Sequence, residues 1–98
     1  MHYSGEKLTE LILDDNPMIE IKSHSFNGMN QLQYLSLCYM KNLCKINEAA
    51  FATLENLTQL KIANNENLAF IHPGAFEDFQ YPFVLRYLNF NMFGFIIT

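Results

Sequence analysis

The sequence predicts a repeat solenoid, in which similar short coils stack around one shared core. Its first indication is a period of 25 residues in four columns of chemically similar residues. The columns are Ile21, Ile46 and Ile71; Ser25, Ala50 and Ala75; Phe26, Phe51 and Phe76; and Met29, Leu54 and Phe79. Its second indication is an aliphatic triplet ahead of each block, with the members Leu8, Leu11 and Leu13; Leu32, Leu35 and Leu37; and Leu57, Leu60 and Ile62. Self-similarity at a fixed period of about 20 to 50 residues is typical of solenoids, because one unit cannot bury its apolar side alone.

These motifs divide the chain into three repeats with flanking segments. The first residues of successive triplets are 24 residues apart (8 to 32) and then 25 (32 to 57). The predicted segments are a polar lead-in at 1–7, repeats at 8–31, 32–56 and 57–81, and a degenerate fourth repeat or C-terminal cap or tail at 82–98. In the last segment, Leu85, Leu88 and Phe90 fit the triplet pattern, but a non-native tail left by truncation is nearly as consistent with its composition.

Within each triplet, the apolar positions alternate with other residues in the manner of a half-buried strand. In the first repeat, Leu11 and Leu13 alternate with Glu10, Ile12 and Asp14. Successive side chains of a strand point to opposite faces, so the leucines are expected in the core and the residues between them on the surface.

The consensus of the three units reads Leu-x-x-Leu-x-Leu-x-x-Asn, then an isoleucine, then a small residue followed by Phe. This pattern resembles the leucine-rich repeat, in the longer form that is common in extracellular proteins, and the resemblance covers Leu8 to about Phe79. It implies an α/β-type repeat solenoid, a right-handed superhelix (a horseshoe segment) with a parallel β-sheet on the concave face and loops or short 3-10 turns on the convex face. It also implies a fragment of a secreted or cell-surface receptor or adhesion protein, although residues 1–7 do not resemble a secretory signal peptide.

The resemblance assigns the Asn of the motif to a hydrogen-bonded ladder between neighbouring coils. Asn16 and Asn65 occupy that position in the first and third repeats. Met40 occupies it in the second repeat, and its side chain cannot donate a hydrogen bond. Asn42, two residues further on, is the alternative there, so the sequence does not decide which residue forms the ladder at this coil.

The resemblance further implies that the concave sheet face binds a protein or peptide ligand. The candidate ligand-binding residues lie between the leucines and at the strand ends: Glu10, Ile12, Asp14, Asp15, Tyr34, Ser36, Tyr39, Gln59, Lys61 and Asn64. Their predicted rows across the coils are Glu10–Tyr34–Gln59, Ile12–Ser36–Lys61, Asp14–Cys38–Ala63 and Asp15–Tyr39–Asn64, which Tyr87, Asn89 and Asn91 extend if a fourth strand forms. Aromatic residues amid polar groups are typical of binding hot spots. The alternative is a solvated sheet face that binds nothing in this segment.

Two short motifs leave alternatives open. Asn56-Leu57-Thr58 matches the N-glycosylation acceptor, because its middle residue is not proline, but a motif this short is consistent with an occupied or an unoccupied Asn56. Cys38 and Cys44 lie six positions apart, a spacing that permits either a disulfide or two free thiols.

Composition and spacing argue against several other classes. A net charge of −4 with 16% charged residues lacks the basic stripe of a nucleic-acid surface. Arg86, Asn89 and Asn91 interrupt the aromatic-rich C-terminal stretch, whereas a membrane span needs about 20 mainly apolar residues. The chain has no Cys-x-x-Cys, no closely spaced His pair and no Gly-rich phosphate loop, so neither a metal ion nor a cofactor is expected. No nucleophile and base share a strand level, so an enzyme is not expected either.

The sequence therefore favours a non-catalytic module that recognises a protein partner outside the cell. Two alternatives remain. One is a structural, matrix-type segment that associates with another copy of itself through uncapped ends. The other is an intracellular scaffold built from the same repeats.

Overall fold

The computed structural model of the protein describes residues 8–76 and the short strand at 88–89. Its elements, in chain order, are β1 (Glu10–Ile12), β2 (Glu20–Ile21), β3 (Tyr34–Cys38), β4 (Lys45–Ile46), β5 (Gln59–Ala63), β6 (Phe70–Ile71), a 3-10 turn (Pro73–Phe76) and β7 (Leu88–Asn89). The strands form two parallel sheets, one of four strands and one of three. The predicted lead-in at 1–7, Phe79 and the rest of 82–98 lie outside the described residues.

The first sheet contains the central leucine of each triplet and has the strand order β1-β3-β5-β7. Leu11 pairs with Leu35, Leu35 with Leu60, and Leu60 with Leu88, all in parallel. The central leucines of the three triplets therefore lie on adjacent parallel strands, as the pattern predicted. Leu88 follows Leu60 by 28 residues, three more than the period of the earlier repeats, and β7 still pairs in line with the leucine positions.

The second sheet lies in the segments between the strands of the first and was not predicted from the sequence. β2, β4 and β6 are two residues long each, and they pair Ile21 with Ile46 and Ile46 with Ile71. The family resemblance implied loops and short 3-10 turns in these segments, and the one 3-10 turn among the described residues is Pro73–Phe76. Two residues are too few to show an alternating pattern, which is why these strands could not be predicted. They pair because coils of equal length stack with their backbones in register.

The core includes the predicted isoleucine and phenylalanine columns, whose members lie one above another. Ile21, Ile46 and Ile71 are all buried, as are the leucines of the second and third triplets. Phe26 and Phe51 stack with ring centroids 6.0 Å apart, and Phe51 and Phe76 stack at 5.4 Å. The rings are within 7° of parallel in both pairs, which confirms the predicted phenylalanine column.

The turn that ends each long strand repeats the same unusual backbone conformation. Asp15, Tyr39 and Asn64 have φ of 63°, 54° and 57°, in the left-handed region. A second column has Gly28 at 89° and Thr53 at 71°. For residues other than glycine, this region costs about 1–2 kcal/mol. The coil geometry therefore overrides the local preferences of Tyr39 and Thr53, since neighbouring coils fix the path of the chain.

Candidate functional site

The face of the first sheet that carries Glu10, Ile12, Tyr34, Gln59 and Lys61, here called the open face, is the candidate site. Glu10 pairs with Tyr34 and Tyr34 with Gln59, which places the first predicted row side by side. The register of the second row places Ser36 between Ile12 and Lys61, and the backbone of β7 continues that row at Asn89. Tyr87 and Asn91 lie outside the described residues.

Exposure along the open face is uneven. Ile12 is 56% exposed, an unusual position for a large aliphatic side chain in a water-facing row. Glu10 and Lys61 are exposed at opposite sides of the described face, and the ring of Tyr34 is half-buried between Glu10 and Gln59. The face therefore offers apolar surface at Ile12 in coil one, beside the acidic Glu10, and a basic side chain at Lys61 in coil three.

Ser36 corrects the expectation that every residue between the leucines is exposed. It is only 2% exposed, and its hydroxyl donates a 2.8 Å hydrogen bond to Asp14 Oδ1. The same carboxylate oxygen accepts a 2.9 Å bond from the backbone N–H of Cys38. Ala63, beyond Cys38 in the third row, is also buried. Asp14 thus covers this part of β3 and joins coil one to coil two, which leaves neither Ser36 nor this oxygen of Asp14 available as a ligand contact.

The fourth predicted row lies at the end of the open face. Asp15, Tyr39 and Asn64 are all exposed, and all three share the left-handed backbone described above. The backbone N–H of Asp15 donates to Cys38 O, and that of Tyr39 donates to Ala63 O, both at 3.1 Å. Because Tyr39 is 57% exposed, it presents the largest aromatic surface on this side of the sheet.

The predicted ladder forms at Asn65 by two hydrogen bonds to the previous coil. Asn65 is buried, its Nδ2 donates to Leu37 O, and its Oδ1 accepts from the backbone N–H of Met40, both at 2.8 Å. One amide therefore satisfies a donor and an acceptor that are both out of reach of water. This matches the role that the resemblance gave to the position.

The second coil needs no asparagine at the ladder position, because the backbone groups of the first coil that it would bind are hydrogen-bonded to each other. Met40 is buried at the ladder position, and Asn42 is exposed, so Asn42 does not replace it. In coil one, the backbone N–H of Asn16 donates directly to Leu13 O at 3.1 Å. These are the groups that correspond to Met40 N and Leu37 O one coil later. With its own polar groups paired, coil one tolerates an apolar neighbour at position 40.

Three further asparagines link coils in a way that the sequence analysis missed. Asn47 Nδ2 donates to Ile21 O at 3.1 Å and to Glu20 Oε2 at 2.8 Å. Asn56 Nδ2 donates to Asn30 O at 2.7 Å, and Asn67 Nδ2 donates to Lys41 O. In each case the accepting carbonyl lies 26 residues earlier. Because the acceptor is a backbone carbonyl, which every residue carries, this spacing leaves no residue-type signal in the sequence.

The cysteines and the acidic residues form no metal-binding group in the part of the chain that is described. Cys38 is buried and Cys44 exposed, and both are free thiols, which decides the alternative that their spacing left open. Over residues 8–76, no group of three or more His, Cys, Asp and Glu side chains is placed to hold a metal ion. No helix in the described ranges has the length and apolar character needed to cross a membrane.

Comparison with known families supports this resemblance. A family model described as leucine rich repeat matches residues 6–66, more than half of the chain. The matched range contains all three leucine triplets, Asn16 and Asn65, and every candidate residue of the four rows within the described coils.

Proposed function

This chain belongs to the leucine-rich repeat family, and from that premise we propose that its open face binds a protein or peptide ligand without catalysing a reaction. Repeats of this family generally mediate protein–protein interaction, and members are typically not enzymes. The proposal assigns that general role to one particular face of this chain.

The observation that carries the proposal is the exposure of Ile12 and Tyr39 beside the open strands. Both residues are more than half exposed, while the leucines of β3 are buried in the core and those beside Ile12 are half-buried against it. Large side chains, aromatic ones above all, supply most of the binding energy at protein interfaces when a partner removes them from water. A ligand lying across the strands would cover both residues together.

The charges on the face indicate the chemistry of the ligand. Glu10 and Asp15 give coil one an acidic side, and Lys61 gives coil three a basic one. Electrostatic complementarity contributes to specificity and orientation more than to raw affinity. We therefore expect a ligand with a basic group over coil one, an apolar or aromatic group near Tyr39, and an acidic group over coil three.

Alanine substitution on the open face tests the proposal. A displayed peptide library selected on the immobilised chain supplies the probe, and calorimetry measures its Kd. We expect Tyr39→Ala to weaken binding about tenfold or more, since loss of a hot-spot residue costs roughly 1.4 kcal/mol or more. Tyr34→Ala and Lys61→Ala should weaken it less, because Tyr34 is half-buried and Lys61 acts mainly through charge.

Phe70→Ala is the matched control, because Phe70 is another exposed aromatic residue but lies in the second sheet. It should leave the Kd unchanged. If alanine at Tyr34, Tyr39 and Lys61 leaves the Kd unchanged in all three variants, the open face is not the binding site. Sensitivity to Phe70 instead would move the site to the second sheet.

We further propose that the chain is part of a secreted or cell-surface protein, with Asn56 as a glycan acceptor. Asn56 and Thr58 are exposed, and only one hydrogen of Asn56 Nδ2 is used in the bond to Asn30 O. A glycan on Nδ2 replaces one hydrogen and leaves the other for that bond. The geometry of the coil is therefore compatible with a modified Asn56.

Mass spectrometry of the protein secreted from eukaryotic cells tests this proposal. We expect a glycan at Asn56 that is lost in both Asn56→Gln and Thr58→Ala. Asn67 is a matched control, because it has the same following Leu and the same kind of bond to the previous coil, but Ala69 stands where the motif requires Ser or Thr. An unmodified Asn56 in secreted protein would contradict the proposal.

The two free thiols favour a second candidate, an intracellular scaffold. Disulfides persist in oxidising compartments, whereas unpaired cysteines such as the exposed Cys44 are more typical of reducing ones. This candidate retains the open face as a binding surface and changes only the compartment. An unmodified Asn56, together with retention of the native protein inside the cell, would favour it over the extracellular proposal.

A further inference from the structure

The turn at Asn27 and Gly28 contains the one Asn-Gly pair of the sequence. Both residues are exposed, and they follow β2 at the point where the chain turns back toward β3. Gly28 has φ of 89°, and a Cβ placed on it would meet nothing within 4 Å. We propose that Asn27 is a site of spontaneous deamidation, a covalent modification that is independent of ligand binding.

The reaction needs a backbone nitrogen that can reach the side-chain amide before it. The backbone nitrogen of Gly28, having lost its proton to solvent, attacks Cγ of Asn27 and closes a five-membered cyclic imide, while the amide nitrogen leaves as ammonia. Water then opens the imide at either of its two carbonyls. One opening gives aspartate, and the other gives isoaspartate, in which the main chain runs through the former side chain.

The structure makes this nitrogen more accessible than those that follow Asn42, Asn56 and Asn67. Over residues 8–76, the N–H of Gly28 donates no backbone hydrogen bond. The N–H groups that follow Asn42, Asn56 and Asn67 all donate to the carbonyl three residues before them, and they belong to Leu43, Leu57 and Leu68. Those leucines are buried, so their nitrogens are screened from the water that must accept the proton.

The amides of the coil-linking asparagines are also held in place. Asn47 and Asn65 each make two hydrogen bonds to the previous coil through their side chains. Attack on Cγ requires the side chain to rotate toward the following nitrogen, which would break those bonds. Asn27 makes no such bond within the described part of the chain, where its only hydrogen bond runs from its backbone N–H to His24 O at 3.2 Å.

The isoaspartate product should loosen coil one. Asn27 follows Phe26 directly, and Gly28 precedes Met29, so two core residues bracket the reacting pair. The N–H of Met29 donates to Phe26 O at 3.1 Å across the turn. Isoaspartate adds one carbon to the main chain inside that hydrogen-bonded loop, which pushes apart two residues that the core holds in fixed positions.

Ageing of the folded chain in mildly alkaline buffer, followed by peptide mapping and mass spectrometry, tests the proposal. We expect the Asn27 peptide to deamidate at least about tenfold faster than the Asn42 and Asn67 peptides of the same sample, a measurable difference in activation barrier. Asn27→Gln should stop the conversion, because its amide would need a larger ring. Equal rates at the three asparagines would overturn the proposal, as would reaction of Asn27 in urea but not in the folded protein.

The structural consequence has its own control. Asn27→Asp carries the added charge of the product without the added main-chain carbon. The isoaspartate form, separated by ion exchange, should unfold at a lower temperature than Asn27→Asp. Equal unfolding temperatures for the two would overturn the inference that the extra carbon disturbs the core.

Discussion

Phe51→Ala should lower the free energy of unfolding by about 3–5 kcal/mol. Phe51 is 1% exposed and lies between two parallel rings, those of Phe26 and Phe76. Its removal takes away apolar burial and both stacking contacts and leaves a cavity between coils. Domains are stable by only about 5–15 kcal/mol, so a three-repeat array should lose much of its folded population.

Urea denaturation followed by circular dichroism measures this effect. Phe51→Leu should cost less, because it retains most of the apolar volume and remains measurable if Phe51→Ala does not fold. Phe70→Ala, at an exposed aromatic position, should change stability by no more than about 0.5 kcal/mol. If Phe51→Ala and Phe70→Ala were equally mild, the phenylalanine column would not be a structural element of the core.

Asn65→Ala should cost about 2–6 kcal/mol, from about 1–3 kcal/mol for each buried polar group left without a partner. The two groups are the N–H of Met40 and the carbonyl of Leu37, which the Asn65 side chain alone bridges through Oδ1 and Nδ2. Because both lie in the second coil, the loss should separate coil two from coil three as well as lower stability.

Asn67→Ala is the matched control for the ladder. Asn67 also bonds to the previous coil, at Lys41 O, but it is exposed, so water replaces the lost donor. Its loss should cost no more than about 0.5–1.5 kcal/mol, the net value of an ordinary hydrogen bond. Hydrogen exchange at Met40 gives a local readout, since its N–H should exchange faster only in Asn65→Ala. Similar losses for the two variants would show that the burial of Asn65 has no special importance.

The open face was only partly predictable, because the alternation along a strand tells which side of the sheet a side chain lies on but not how exposed it is. Ile12 and Ser36 occupy equivalent positions on neighbouring strands, yet one is open to water and the other is covered. The difference comes from Asp14, whose carboxylate reaches from coil one to the hydroxyl of Ser36. A contact between residues 22 positions apart leaves no trace in the local pattern of either strand.

The hydrogen-bonded ladder was also only partly predictable from the sequence. The motif identified Asn65 correctly, because an amide that links coils must recur at the repeat spacing. It suggested Asn42 as a substitute in coil two, where the structure has a buried Met40 and no substitute. None is needed, because Asn16 and Leu13 pair through their own backbones. Whether a polar group needs a partner depends on what its neighbours in space already provide.

The sequence by itself determined which residues form the core and how the coils align. When apolar residues recur at a constant spacing, the coils stack with equivalent residues above one another, so that each coil covers the apolar side of the next. Only the tertiary structure decided the second sheet, the burial of Ser36, the free thiols and the left-handed turn at Tyr39. These features depend on polar groups and backbones that meet across coils, and their pairing is fixed only once the coils are in place.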